Sequence, residues 1–245
     1  MSTILSAQHF IAELEAQRSE VQAQQSQRYF KTGPGQYGEG DVFLGVRSTP
    51  LGALVKQALE MPLGEIEKLL DSPYHEARAG GVSIMRQQVR RKKTPLAQRK
   101  TLFDLYLRRH DRINNWDLVD VSCPDVIGGY LMDQPRDLLY TLARSENLWE
   151  RRSSIIATLY FIDQGDLDDT FRIAELLLED KHDLIHKAVG WALREAGKRD
   201  RARLLQFLDA HAATMPRTCL RYAIEHLDAE QRAHYMGLKK QQGGG

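Results

Sequence analysis

Four segments decide the fold: HEARAGGVSIM (75–85), WDLVD (116–120), WERRSSIIATL (149–159) and LIHKAVGWALR (184–194). Aligned without gaps, one register places Arg78, Trp116, Arg152 and Lys187 at equivalent positions, with steps of 38, 36 and 35 residues. One helical turn further on, Asp120, Ile156 and Trp191 coincide in the same register. A repeat of about 35–40 residues with two helices per unit marks a HEAT-like α-solenoid. Each unit buries its apolar face only by stacking on its neighbours, so the array acts as one domain with a curved surface. The alternative is an irregular helical bundle.

Outward from these segments, apolar residues recur three and four apart. Leu51, Leu54, Val55, Ala58 and Leu59 form one stripe. Leu102, Leu105, Tyr106 and Arg109 line a second face, and Phe171, Ala174, Leu177 and Leu178 a third. Such spacing predicts helices rather than strands. Thr94-Pro95 and Ser72-Pro73 read as N-caps followed by proline at the first helical position. Met61-Pro62, Asp133-Gln134-Pro135 and Met215-Pro216 read as breaks between helices. The stretch MSTILSAQHFIAELEAQRSE (1–20) reads as an amphipathic helix and not as a signal peptide.

Residues 31–46, KTGPGQYGEGDVFLGV, break the helical pattern. Their glycines are residues that no helix interior would choose. Tyr37, Val42, Phe43 and Leu44 give the segment something to bury, which predicts an ordered loop. The expected organisation is a single helical-repeat domain over 1–238 and a flexible tail, KKQQGGG, over 239–245.

Composition narrows the function. Lys+Arg 34 against Asp+Glu 33 leaves a formal charge of +1, which excludes a uniformly basic DNA-coating protein but not a basic face. Cys123 and Cys219 are the only cysteines, which excludes a disulfide framework and a Cys-rich zinc module. Their scarcity suits a reducing cytoplasm, and no apolar run is long enough to cross a bilayer.

Charge is unevenly placed. Arg90, Arg91, Lys92, Lys93, Arg99, Lys100, Arg108 and Arg109 crowd one stretch, while Asp163, Asp166, Asp168, Asp169, Glu175, Glu179 and Asp180 crowd another. That asymmetry fits a nucleic-acid face, and equally a solvated helix end. The repeat-equivalent cations Arg78, Arg152 and Lys187 could follow a phosphate backbone or form salt bridges between repeats. Trp116 and Asp120 are four apart and share a helix face; Arg194 follows Trp191 by three on another. If the register holds, Trp116, Asp120 and Trp191 face a common groove with Arg152 between them. An acid flanked by indoles suits a cationic group, although a tryptophan on a helical stripe also suits a core.

The segments YFKTGPGQYGEGDVFLGVR, NNWDLVD, LWERRS and HKAVGWALRE together resemble the DNA alkylation repair glycosylases of the AlkD type, a HEAT-like superfamily. The resemblance runs from about Tyr29 to about Arg199. It implies an all-α solenoid of antiparallel helix pairs with a concave DNA-binding face. It implies that Asp120 is the catalytic carboxylate and that Trp116 and Trp191 cup the lesion-bearing nucleotide. It places Arg152 and Arg194 on DNA, and Tyr29 and Arg47 beside the lesion. An aromatic pair that the family carries before its K-A-x-G-W block is replaced here by Asp183-Leu184.

The implied activity is release of cationic N3- or N7-alkylated purines from double-stranded DNA, by a monomer. No metal, cofactor, lyase step or base-flipping pocket is expected. A non-catalytic binder of branched or distorted DNA and a protein-binding helical scaffold are the alternatives. His182 and His186 read as surface histidines rather than metal ligands. DQGDLDD (163–169) reads as a turn with an N-cap rather than a calcium loop.

Overall fold

A computed structural model describes residues 3–241 of the chain. Among them every regular element is helical, as the three-and-four spacing requires. The lone exception is an isolated parallel bridge between Val42 and Tyr74. The chain divides into two compact units, Met1–Tyr130 and Leu131–Gly245.

The first unit comprises α1 (Ala7–Glu15), α2 (Glu20–Tyr29), α3 (Ser48–Gln57), α4 (Leu63–Asp71), α5 (His75–Arg90), α6 (Leu96–Arg108) and α7 (Trp116–Cys123). Ser6 and Ser19 cap α1 and α2, accepting from the His9 and Gln22 amides. The centre of the unit is α5, which packs on α1, α3, α4, α6 and α7. Its Ala77, Val82, Ile84 and Met85 are fully buried, as are Phe10, Ile66, Leu69 and Tyr106 of the same unit. After α7 the chain enters a π-helical turn, Pro124–Gly128. Pro124 has no N–H to donate to the carbonyl of Asp120, four residues earlier, so the α-ladder cannot continue unchanged.

A short helix, α8 (Gly129–Leu131), leads into α9 (Asp137–Leu142), α10 (Leu148–Ile156), α11 (Thr158–Asp163), α12 (Asp168–Leu177), α13 (Asp183–Arg199), α14 (Arg201–His211), α15 (Arg217–Ala223) and α16 (Ala229–Gln241). Here α13 plays the part that α5 plays in the first unit, packing on α10, α11, α12, α14 and α15. Gly190 permits the close approach of α15, since a Cβ there would lie 2.5 Å from the Cys219 carbonyl. Trp149 is buried in this unit's core. The helix α16 enters the segment expected to be a tail; residues 242–245 lie outside the described residues.

Both proline-led helix starts begin later than the sequence suggests. For α6 the capping position is Pro95 and for α5 it is Tyr74, neither with a side-chain cap. Thr94 instead donates its hydroxyl to the Gln88 carbonyl at 2.6 Å. Ser72 accepts from the Tyr74 amide at 3.2 Å. Both hydroxyls shape the approach to the helix rather than its first turn.

The loop over 31–46 is ordered, with Phe43, Leu44 and Val46 buried. Val42 departs from expectation, being 43% exposed. Its backbone does the work instead, accepting from the His75 amide at 2.8 Å.

Candidate functional site

The helix α7 carries the first two candidate residues. Asn115 caps it, its Oδ1 accepting from the Trp116 amide at 2.9 Å. Trp116 is therefore the first residue of the helix, with Asp120 one turn on; both are half-buried. The indole rests on Phe30, with centroids 5.3 Å apart and planes 21° from parallel. Phe30 in turn stacks on Phe43 at 5.1 Å, and Phe43 on the His75 ring at 4.5 Å. This ladder fixes the plane of Trp116 from behind. Tyr29 meets the same indole edge-on at 5.8 Å and is 66% exposed.

Behind the ladder lies a buried charge network that the sequence reading missed. His75 Nδ1 contacts Asp41 Oδ2 at 3.1 Å, and His75 Nε2 contacts Asp117 Oδ2 at 2.8 Å. With a carboxylate at each nitrogen, both nitrogens must donate, so the ring is an imidazolium. Burial alone would lower its pKa; the charge of Asp117 and hydrogen bonds to Asp117 and Asp41 outweigh this and raise it to about 9. Asp41 also accepts from Asn115 Nδ2 at 3.0 Å and from Arg78 Nη2. Burial works against its charge, but these partners hold its pKa below the usual carboxylate value.

Glu76, next to His75, clamps the loop itself. Its Oε2 accepts from the Leu44 amide at 3.0 Å, and its Oε1 from the Gly45 and Val46 amides at 2.7 and 3.2 Å. Gly45 has φ +81°, and a Cβ there would lie 2.1 Å from the Ser19 carbonyl. The first turn of α5 thus organises both the loop and the start of α7. The available signal was Asp41, an acid among glycines and apolar residues, together with the His-Glu pair that opens HEARAGG.

This network corrects one candidate. Arg78 is not a phosphate contact: it is 2% exposed, paired with Asp41, and its Nη1 donates to the Ser72 and Pro73 carbonyls at 3.1 Å. Arg47 is exposed at the N-cap of α3, donating to Gln22 Oε1 at 3.1 Å.

In the second unit, Arg152 is 5% exposed and donates from Nη1 to the Leu184 carbonyl at 2.6 Å, tying α10 to the start of α13. Lys187 pairs with Asp183 at 2.7 Å, and Asp183 occupies the first turn of α13. Trp191 is half-buried on the same helix. Arg194 pairs with Glu225 and, at 3.5 Å, with Glu195.

Counted from each helix start, Arg152 and Lys187 are both the fifth residue, while Ile156 and Trp191 are both the ninth. The register therefore holds between α10 and α13. Trp116 is the first residue of α7 and Arg78 the fourth of α5. The slip at Trp116 is one helical turn, which preserves the face and explains why an ungapped alignment hid it.

The basic stretch is largely neutralised where it lies. Arg86 and Arg90 pair with Asp125, Arg91 with Glu60, Lys100 with Asp104, and Arg108 and Arg109 with Glu67. In the acidic stretch, Asp166 and Asp169 share Arg136, Asp168 pairs with Arg203, and Asp180 with Arg151. The expected turn over 163–169 forms around Gly165, φ +84°, but α12 follows without a side-chain cap. His182 caps α13 by accepting from the Leu184 amide at 3.1 Å, and His186 Nε2 lies 2.5 Å from the Asp180 carbonyl.

Residues 10–227 match the sequence model of a family described as DNA alkylation repair enzyme. Among solved structures, one titled "Predicted DNA alkylation repair enzyme from Enterococcus faecalis" aligns with TM-score 0.67. It shares 18% sequence identity over 87% of this chain and 98% of its own, a likeness of fold. No curated protein matches. Among the described residues, no helix is long and apolar enough to cross a membrane.

Proposed function

The chain belongs to the DNA alkylation repair enzyme family, and from that premise we propose that it is a DNA glycosylase acting on cationic N3- and N7-alkylated purines in double-stranded DNA. The observation that carries this reading is α7, where the half-buried Asp120 lies one turn beyond an indole fixed by stacked rings.

A purine alkylated at N3 or N7 already bears positive charge, so it leaves without a general acid. As the C1′–N bond breaks, its electron pair neutralises the purine and the sugar becomes oxocarbenium-like. Asp120 stabilises that charge and orients the attacking water, which forms the new C1′–O bond and passes its proton to the Asp120 carboxylate, and from there to solvent. Preorganised electrostatic stabilisation of this kind is worth about 3 kcal/mol. Trp116 adds stacking and cation–π attraction, about 1–2 kcal/mol when desolvated. The family resemblance assigns Trp191 to the lesion-bearing nucleotide as well. It also assigns Tyr29, Arg47, Arg152 and Arg194 to DNA, and repeat position adds Lys187. Neutral purines lack both the leaving group and the attraction, so selectivity follows lesion charge without a deep base pocket. The proposed reaction ends at base release, with no lyase step.

The test is release of 7-methylguanine and 3-methyladenine from duplex DNA, beside release of unmodified purines. Release of the alkylated bases alone supports the reading. Tight binding to junction DNA with no base released would replace it with a DNA-structure binder.

A further inference from the structure

The first turn of α5 contains a titratable group that the proposed chemistry does not use. The His75 ring is buried and lies between carboxylates from two other segments, Asp41 of the 31–46 loop and Asp117 of α7. Asp117 directly follows Trp116 and sits three residues before Asp120, in the first turn of the same helix. Its Oδ2 rests on His75, while its Oδ1 has no hydrogen-bond partner among the described residues. The His75 ring also closes the stack that ends at Trp116. One side chain therefore touches both the backbone start of α7, through Asp117, and the plane of its indole, through Phe43 and Phe30.

We propose that His75, a cation bridging Asp41 and Asp117, is a positioning residue that sets the Trp116–Asp120 face of α7. This rests on the glycosylase reading only for the identity of the reaction. His75 acts through Asp117 and the stacked rings.

Among the described residues, the contacts of the ring come from three segments. The loop contributes Asp41 and Phe43, the end of α2 contributes Phe30, and α7 contributes Asp117 with its cap Asn115. On α5 itself, Arg78 is turned to Asp41 and the Glu76 carboxylate to the loop amides. Arg112 donates to the carbonyls of Leu70, Asp71 and Ser72. Removing the proton from His75 leaves an acceptor nitrogen facing a carboxylate whose Oδ1 has no hydrogen-bond partner among the described residues. The pKa near 9 places that event above neutrality.

Two readouts test the proposal. The Trp116 indole N–H resonance of the full chain is followed between about pH 6 and about pH 10. It is expected to shift with a midpoint near 9 in the wild type and to lose that transition in His75→Gln. Single-turnover excision, corrected for uncatalysed base loss, is expected to decline through the same midpoint. His75→Gln should lower the rate about ten- to a hundredfold with DNA affinity kept, and abolish the decline. Asp117→Asn keeps a hydrogen-bonding group while removing a charge; it covers the case in which His75→Gln fails to fold, and should move the midpoint down. A pH-invariant Trp116 resonance in the wild type, or a transition surviving in His75→Gln, overturns the proposal. Absence of excision with the resonance behaving as expected removes the glycosylase reading and leaves the positioning role standing.

Discussion

Replacing Glu76 by Gln should loosen the glycine-rich loop while leaving every proposed chemical group in place. In the native chain three backbone amides point at two oxygens: Leu44 at Oε2, Gly45 and Val46 at Oε1. Glutamine keeps one oxygen and presents an amide donor where the other stood. At best Gly45 and Val46 keep their acceptor, while the Leu44 N–H meets another donor in a buried place. Orphaning one buried donor costs about 1–3 kcal/mol, and loss of a charge-assisted bond adds to it. A total of about 2–4 kcal/mol corresponds to a roughly 30- to 1,000-fold loss of protection in the local amides. Hydrogen exchange at Leu44, Gly45 and Val46 reads this directly, with amides in α13 as an internal control that should not change. Protection within about threefold of wild type would refute the assignment of Glu76 as the clamp.

Stability should depend on pH through the same network. His75 is raised from 6.5 to about 9 in the fold, so its contribution is complete below pH 6.5 and is lost as pH rises through about 9. The shift corresponds to about 3 kcal/mol. Asp41, held below its ordinary value, contributes above about pH 4 and loses its contribution as pH falls further. Thermal melting should therefore show the first unit weakening at about pH 9.5 relative to about pH 6.5, and His75→Gln should flatten that alkaline decline. Gly190→Ala would push a methyl against the Cys219 carbonyl and the Tyr222 Cβ, both 2.5 Å away; this should cost about 1–3 kcal/mol, read as a lower melting temperature. Lys187→Ala should reduce the salt slope of duplex binding by about one counterion. Arg78→Ala should instead cost about 3–5 kcal/mol by breaking its buried pair with Asp41, read by denaturant titration, with no change of slope in a variant that folds.

The helices were legible because each buried stripe carries its own period: Leu54, Val55 and Ala58, or Leu102, Leu105 and Tyr106, need no partner to declare a face. The pairing of Trp116 with Asp120 was legible for the same reason. What the sequence hid is long-range. Asp41 finds His75 and Arg78 from 34 and 37 residues away, and Asn115 from 74. No local pattern announces such partners. The same blindness made Arg78 look like a phosphate ligand, since a repeat position reports a helix face and not the acid that meets it. In the basic stretch, Asp125, Glu60 and Glu67 cancel charge that sequence proximity made conspicuous. Helix starts slipped where Thr94 and Ser72 spent their hydroxyls on neighbouring backbone groups ahead of the first turn.

The most direct test is the single-turnover rate of 7-methylguanine release by Asp120→Asn, with duplex affinity measured alongside. The amide keeps the size and hydrogen-bonding capacity of the side chain while removing its charge. The account predicts a fall of about a hundred- to a thousandfold in rate with affinity unchanged. A variant that releases the base as fast as the wild type would contradict it.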